Sequence, residues 1–257
     1  MDTEAQHLER DRSSGPGTGV EEGSRSTHVR GERAATMSWG RTIFLGMACT
    51  VALLLFSAFV LQPFLVPSGS MQPTLRIGDR VLVNKLAYRF GSEPARGDVV
   101  VFDGTGSFVQ ETGQEGKAVG ELLRAAAASL GLAEPAGSDF VKRVVGVGGD
   151  RVVCCDDRRR LEVNGTPVTE EYVHPGDRPS DVAFDIVVPA GKLWVMGDHR
   201  SNSRDSRDHL GQPGGGMVPV EQVIGRVDWL GWPLGRIGSL EGTDAFTGIR
   251  PPDADHG

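Results

Sequence analysis

The longest apolar stretch in the sequence runs without a charged residue from Ile43 to Leu61. As a helix, rising about 1.5 Å per residue, it would reach roughly 28 Å, which is close to the thickness of a bilayer's hydrocarbon core. We therefore expect a transmembrane helix over residues 42–62, and a single span, because no second uncharged run of this length follows. A cleavable signal peptide is the alternative, but its apolar region is usually only about 7–15 residues long and lies nearer the N-terminus.

Downstream of Pro63 the pattern changes to short runs of β-branched residues bounded by Gly-Asp or Asn-Gly pairs. Such runs are typical of β-strands, and Asn164-Gly165 is typical of a two-residue hairpin turn. We therefore expect a mainly β domain over residues 63–240. The predicted strands lie within residues 78–85, 97–102, 140–155, 161–168, 191–198 and 218–230.

Three segments lack this strand pattern. Residues 1–41 are rich in Ser, Gly, Thr and alternating charges, so we expect a disordered tail. Residues 103–138 separate two predicted strands, and their AVGELLRAAAASLGL stretch has the Ala and Leu content of a helix, which predicts a partly helical surface insertion. Residues 241–257 are polar and contain proline, so we expect a flexible C-terminal tail.

Composition limits the class of protein. The 257 residues are 39% hydrophobic and 24% charged, with a net charge of −7. This is enough for one substantial core, and the acidic balance argues against nucleic acid as the main partner. The cysteines, Cys49, Cys154 and Cys155, form neither a disulfide framework nor a metal-ligand spacing. Because a bridge between neighbours would be strained, we expect buried free thiols.

Charges around the apolar run predict its orientation. The preceding residues carry an excess of arginine over glutamate close to the run, which favours a cytoplasmic N-terminus and an extracytoplasmic domain. Basic residues that follow the run reduce this asymmetry. The arginines before it are Arg25, Arg30, Arg33 and Arg41, and the basic residues after it are Arg76, Arg80 and Lys85.

A serine-containing segment, PSGSM, lies soon after the apolar run. A serine hydroxyl is a poor nucleophile unless a base accepts its proton, and histidine is the commonest base. PSGSM lacks the G-x-S-x-G pattern of a nucleophile elbow, and no histidine lies between His28 and His174. A lysine held neutral by burial can replace histidine. Lys142 in DFVKRVVGV and Lys85 in VLVNK are the lysine candidates, while His174 and His199 are the histidine candidates.

Four motifs together resemble those of bacterial type I signal peptidases, in the order of that family and across about residues 60–230. They are PSGSMQPTL, the strand pair GDRVLV and GDVVVF, the segment FVKRVVGVGGD, and GDHRSNSRDSR. The resemblance implies a membrane-bound serine protease that removes signal peptides. It also implies a signal-peptidase-like β-sheet catalytic domain, a Ser-Lys dyad without histidine, and no metal or cofactor.

The resemblance assigns roles to six residues. It implies that Ser70 is the nucleophile and Lys142 the general base, and that the Ser68 hydroxyl and the Ser70 backbone N–H form the oxyanion hole. It further implies that Ser203 orients the lysine and that Asp205 and Arg207 form a supporting ion pair. His199 stands where many relatives have Asn, and we interpret it as structural.

The same resemblance implies how substrate binds. The peptide is expected to pair as an added strand between PFLVP and DFVKR. Shallow pockets would admit only small residues before the cut, as in Ala-x-Ala sites. The residues implied to contact substrate are Phe64, Val66, Pro67, Met71, Leu75, Phe140 and Val141.

The expected partners are signal peptides of exported preproteins and the lipid bilayer of the bacterial plasma membrane. The secretion translocase is a further candidate partner, and nucleic acid is not expected. Trp229 and Trp232 suit either a membrane-interface contact or an ordinary aromatic core.

Two other functions share parts of this pattern. One is an inactive relative that scaffolds a secretion partner, which the presence of both Ser70 and Lys142 argues against. The other is a self-cleaving Ser-Lys repressor, which would need a DNA-binding helical domain in place of the polar tail and apolar run.

Overall fold

The computed structural model describes residues 39–109 and 138–251. The predicted N-terminal tail, residues 1–41, therefore lies almost wholly outside the described residues. The expected helix within the 103–138 insertion also lies outside them. Contacts divide the chain into two units, Met1–Thr42 and Ile43–Gly257, and the second contains every strand.

The apolar run forms helix α1, Trp39–Phe59. Within the described residues it is the one helix long and apolar enough to cross a membrane, with a mean hydropathy of 1.7 over Trp39–Phe56. The helix both begins and ends a few residues earlier than the predicted span of 42–62. Its end is earlier because Leu61 already belongs to the first strand. The Gln62-Pro63 pair explains this end, since proline disfavours helix for itself and for the residue before it.

The domain that follows is mainly β, as the runs of β-branched residues predict. Its strands are β1 Leu61–Leu65, β2 Arg80–Asn84, β3 Val99–Asp103, β4 Asp139–Val147, β5 Arg151–Cys154, β6 Leu161–Val163, β7 Thr166–Pro167, β8 Phe184–Val187, β9 Lys192–Met196, β10 Val218–Pro219, β11 Val223–Trp232 and β12 Gly238–Ser239. Short 3-10 turns cover Arg200–Asn202, Val220–Gln222, Leu234–Arg236 and Asp244–Phe246.

The strands form two antiparallel sheets. The larger has the order β1-β2-β11-β3-β4-β9-β10, with β12 paired to β11, and the smaller has the order β7-β6-β5-β8. Strands β6 and β7 form the predicted hairpin, in which Asn164 and Gly165 have φ of 52° and 70°. Positive φ at both central residues is the geometry that an Asn-Gly turn favours.

The predicted strand over residues 140–155 is two strands in different sheets. Strand β4 ends at Val147, and the chain turns through Gly148-Gly149-Asp150 before β5 begins. The Asp150 carboxylate is fully buried and accepts a hydrogen bond from the Val147 N–H at 2.8 Å. It also pairs with Arg96, so the turn is held by a buried charge with a partner.

The cysteines differ from expectation. Cys154 and Cys155 form a disulfide between neighbours, and Cys49 is free but exposed, so the prediction of buried free thiols is wrong for all three. In a continuing strand their side chains would point to opposite faces. Because strand β5 ends at Cys154, Cys155 lies outside the strand, and the alternation of side chains along the strand does not force the two thiols to opposite faces.

The C-terminal segment also differs from expectation over its described part. Phe246 is only 8% exposed and belongs to the core cluster that contains Trp194 and Phe184. The backbone carbonyl of Arg250 accepts a hydrogen bond from Asn164 at 3.0 Å. Residues 241–251 are therefore part of the fold, because Phe246 is buried and Ala245 and Ile249 pack against the same cluster.

We expect Phe246→Ala to lower the free energy of unfolding by about 3 kcal/mol, because it removes a buried aromatic ring. Phe90→Ala is the matched control, since Phe90 is 94% exposed and should change stability little. Denaturant unfolding in detergent micelles measures both changes. Equal effects would contradict the assignment of residues 241–251 to the core.

Candidate active site

Ser70 lies in the tight segment between β1 and β2. Gly69 accepts a hydrogen bond from the Gln72 N–H at 3.1 Å, and Met71 accepts one from the Leu75 N–H at 2.8 Å. The Met71 and Leu75 side chains are 1% and 0% exposed. Two helix-like turns anchored by buried apolar side chains therefore hold the serine in place.

Lys142 approaches this serine from the middle of the large sheet. It lies on β4, opposite Val100 of β3. Its Nζ donates a hydrogen bond to Ser70 Oγ at 2.9 Å and another to the Val141 carbonyl at 3.1 Å. Lys142 is 3% exposed and Ser70 is 7% exposed, so the contact is shielded from bulk water.

Burial changes the charge state of this lysine. Desolvation lowers the pKa of Lys142 from 10.5 to about 8, because a buried ammonium loses its hydration. Asp205 and Asp198 oppose this shift by stabilising the charged form, and Arg207 assists it. The neutral amine is thus accessible near neutral pH, and a neutral amine can accept a proton.

Ser68 and Ser203 are the other two serines predicted for the site. Ser68 is exposed, and its Oγ lies 3.3 Å from Ser70 Oγ. Ser203 is buried, but the Lys142 amine donates to Ser70 and the Val141 carbonyl, and the expected bond between Ser203 and Lys142 is not present among the described residues.

Gly197 is the neighbour that sets the position of Ser203. A Cβ at residue 197 would lie 2.2 Å from Ser203 Oγ and 2.5 Å from the Ser70 carbonyl oxygen. Only glycine allows these two backbone segments to come so close. Sequence reasoning did not single out Gly197, although its place at the start of GDHRSNSRDSR was visible.

Asp205 and Arg207 form the expected ion pair. Arg207 Nε and Nη2 each lie 2.8 Å from an Asp205 carboxylate oxygen, and the Gly197 N–H donates to the same carboxylate at 2.9 Å. Burial raises the pKa of Asp205, but these donors outweigh it and leave the pKa below its ordinary value. A charged carboxylate therefore fixes the loop from Gly197 to Arg207.

A second buried ion pair joins Arg143 to Asp198. Arg143 Nε and Nη2 lie 2.8 and 2.7 Å from the carboxylate oxygens of Asp198, and Nη1 donates to the Gly97 carbonyl at 2.8 Å. The Thr74 hydroxyl donates to the same carboxylate. Thr74 belongs to residues 67–75, which contain the predicted nucleophile Ser70 and form the nucleophile segment, so this pair links that segment to β4. Sequence reasoning missed it, although Arg143 directly follows Lys142.

A third buried ion pair joins Arg200 to Glu170, whose side chains are only 2% and 5% exposed. Tyr172 connects it to the second pair, because the Arg143 guanidinium lies 4.2 Å from the centre of the Tyr172 ring. Tyr172 donates a hydrogen bond to Glu170 at 2.7 Å. Nothing in the sequence pattern marked Glu170 or Tyr172.

The alternative bases make no hydrogen bond to the Ser70 hydroxyl within the described residues. Lys85 donates a hydrogen bond to Gln62 at 3.0 Å, beside β1. His199 contacts the nucleophile segment through its backbone N–H, which donates to the Ser70 carbonyl at 3.0 Å, and through Nδ1, which lies 3.3 Å from the Gly69 carbonyl. Of the four candidate bases, Lys142 is the one with a hydrogen bond to the Ser70 hydroxyl within the described residues.

The predicted substrate-contacting residues fall into three environments. Phe64, Val66, Met71 and Leu75 share one buried cluster, and Val141 packs against it. Phe140 packs in a separate cluster and stacks on Phe102, with ring centres 5.8 Å apart. Pro67 is exposed.

The chain is similar in sequence to known proteins. The family described as signal peptidase, peptidase S26, matches residues 36–232. Signal peptidase I from Mycobacterium tuberculosis is 37% identical over 226 residues, which cover 79% of this chain and 76% of the relative. Signal peptidase I from Leptolyngbya laminosa is 34% identical over 197 residues, which cover 76% of this chain and 80% of the relative.

We expect Asp198→Asn to lower the free energy of unfolding by about 3 kcal/mol or more, because it leaves the buried Arg143 without its counter-charge. Asp185→Asn is the matched control, since Asp185 pairs with Arg151 where both side chains are at least half exposed. That change should alter stability little. Denaturant unfolding of the two variants measures the difference, and a small effect of Asp198→Asn would show that the pair does not anchor the site.

Proposed function

The chain belongs to the signal peptidase family, peptidase S26, and we propose that it removes signal peptides from exported preproteins by means of a Ser-Lys dyad. It is a serine peptidase by this membership. The finer assignments, which are the dyad, the preference for small residues and the membrane topology, make up the proposal.

One observation carries the proposal for the dyad. Lys142 Nζ lies 2.9 Å from Ser70 Oγ, and both side chains are buried. A general base must lie within hydrogen-bond distance of the proton that it accepts, and its pKa must be near the working pH. Lys142 satisfies both conditions.

The proposed reaction proceeds through an acyl-enzyme. Ser70 Oγ attacks the scissile carbonyl carbon while its proton passes to the neutral Lys142 amine. The Ser68 hydroxyl and the Ser70 N–H donate hydrogen bonds to the developing oxyanion. The tetrahedral intermediate then collapses, the C–N bond breaks, and the leaving amine takes the proton from Lys142. Water, deprotonated by Lys142, hydrolyses the ester and restores Ser70.

Free strand edges support an extended mode of substrate binding. Strand β1 lies at one end of the large sheet, so one of its edges has no partner strand within the described residues. Strand β9 pairs with β4 only from Arg143 onward, which leaves the first part of β4 paired on the β3 side alone. A peptide that adds a strand between these edges would carry its scissile bond to Ser70.

The pocket residues support a preference for small side chains. Phe64, Val66, Met71 and Leu75 are 6%, 2%, 1% and 0% exposed, so little open space lies among them. This burial supports the proposed Ala-x-Ala preference, because a large side chain would have to displace close-packed residues.

Membrane attachment completes the proposal. Helix α1 would span the plasma membrane with the N-terminus in the cytoplasm and the peptidase domain outside. Trp229 and Trp232 are 51% and 49% exposed, which supports contact with the membrane interface rather than a core role. Signal peptides in the bilayer would then present their cleavage sites close to Ser70, with the secretion translocase as a candidate partner.

We expect Ser70→Ala and Lys142→Ala each to lower single-turnover cleavage of a preprotein with an Ala-x-Ala site by at least about 1000-fold. The double variant should lose little more, because the two groups act as one unit. Lys142→Arg should be as inactive as Lys142→Ala, since a guanidinium stays protonated. Purified full-length variants in detergent micelles provide the measurement.

Lys85→Ala is the control for these variants, since Lys85 contacts Gln62 and not Ser70. It should retain nearly full activity. Near-normal activity of Lys142→Ala together with inactivity of His199→Ala would transfer the role of base to histidine and contradict the proposed dyad.

We also expect kcat/KM to rise with pH through a pKa of about 8 on the acidic side of its profile. The sign follows from the neutral amine being the active base, so that each pH unit below this pKa costs about tenfold in rate. The measurement is cleavage of the same substrate across pH 6–10. An acidic limb near the ordinary histidine value of about 6.5 would instead indicate an imidazole base.

A further inference from the structure

His174, Asp177 and His199 form a cluster outside the proposed dyad. One donor atom from each, a ring nitrogen or a carboxylate oxygen, lies within 4.8 Å of the others. Within the described residues this is the one group of at least three His, Cys, Asp or Glu side chains that close together. We propose that it is a binding site for a divalent transition metal, with zinc as the expected ion.

The donor set determines the class of metal. Two imidazoles and one carboxylate are ligands that suit zinc and its neighbours, whereas calcium and magnesium prefer oxygen ligands alone. When both rings are neutral, the cluster carries the −1 charge of the Asp177 carboxylate, so a bound divalent cation leaves a net charge of +1. Three protein ligands leave a fourth position for water.

A tight turn brings two of the ligands together. The Asp177 N–H donates to the His174 carbonyl at 3.0 Å across Pro175-Gly176, and Gly176 has φ of 93°. Proline followed by a residue with positive φ is typical of a type II turn. The backbone therefore holds His174 and Asp177 at the two ends of one turn.

Outer contacts orient the other donors. The Ser201 N–H and hydroxyl donate to the two carboxylate oxygens of Asp177 at 3.1 and 2.8 Å. Nδ1 of His199 lies 3.3 Å from the Gly69 carbonyl, and because a carbonyl only accepts, a proton on Nδ1 completes this hydrogen bond and leaves Nε2 as the nitrogen that would ligate a metal. A ligating histidine in known metal sites uses its second nitrogen in this way.

Metal binding requires a small rearrangement. The His174 and His199 rings stack with centres 3.9 Å apart and planes 9° apart, so their nitrogen lone pairs lie in two nearly parallel planes and do not converge on one point between the rings. A tetrahedral ion with bonds of about 2.1 Å needs donors roughly 3.4 Å apart, so a ring must tilt out of the stack. Both rings are only half-buried, and such a tilt leaves the core intact.

The site has a direct connection to the nucleophile segment. His199 contacts the carbonyls of both Gly69 and Ser70, as described above. An ion at this cluster would tie the His174–Asp177 turn to the loop that holds Ser70. Occupancy should therefore stabilise this region without taking part in the bond-breaking step.

The test is metal binding by the full-length protein in detergent micelles, prepared without a polyhistidine tag and freed of metal by chelation. Cobalt is the probe, because its visible absorption reports ligand number, and zinc should displace it. We expect one equivalent of cobalt to bind. His174→Ala and Asp177→Asn should each weaken binding at least about tenfold.

Asp181→Asn is the control, since Asp181 is exposed, pairs with Arg178 and does not belong to the cluster, and this variant should bind cobalt as the native chain does. Asp177→Asn is nearly isosteric, so it decides the matter if His174→Ala fails to fold. The melting temperature should rise with zinc in the native chain and not in Asp177→Asn. Absence of cobalt binding by the native chain, or equal binding by the native chain and Asp177→Asn, would overturn the proposal.

Discussion

The site depends on keeping the Lys142 amine out of water next to Ser70. A lysine in solution stays protonated at neutral pH and cannot accept a proton. Lys142 is only 3% exposed on β4, and this burial lowers its pKa to about 8. The free-energy cost of removing a charged amine from water is thus what would let Lys142 act as the proposed base, and the surrounding fold supplies the buried position.

Burying the base brings other charges inside with it. The loop that packs against Ser70 carries Asp198 and Asp205, which are both fully buried. Each carboxylate has an arginine partner with two hydrogen bonds, Arg143 for the first and Arg207 for the second. A buried charge without a partner would be strongly destabilising, so these pairs are conditions for the loop to lie where it does. Their carboxylates also limit how far the pKa of Lys142 falls.

The nucleophile segment is positioned from three sides. Buried Met71 and Leu75 anchor it to the core, Thr74 joins it to the Asp198 carboxylate, and His199 contacts two of its carbonyls. Gly197 makes the approach possible, because any side chain there would overlap the Ser70 carbonyl. The buried apolar side chains come from one part of the chain, and the Asp198 carboxylate and the glycine at 197 come from another. The position of Ser70 therefore does not depend only on the turns between β1 and β2.

Local pattern in the sequence determined the apolar helix, most strands and the Asn164-Gly165 hairpin, because side-chain periodicity and turn preferences report backbone geometry over a few residues. The resemblance in motif order pointed to Ser70 and Lys142. Tertiary structure alone decided that residues 140–155 split between two sheets, that Phe246 joins the core, and that Arg143 pairs with Asp198, 55 residues away. Burial and partners depend on which distant segments become neighbours, and local periodicity carries no information about that choice.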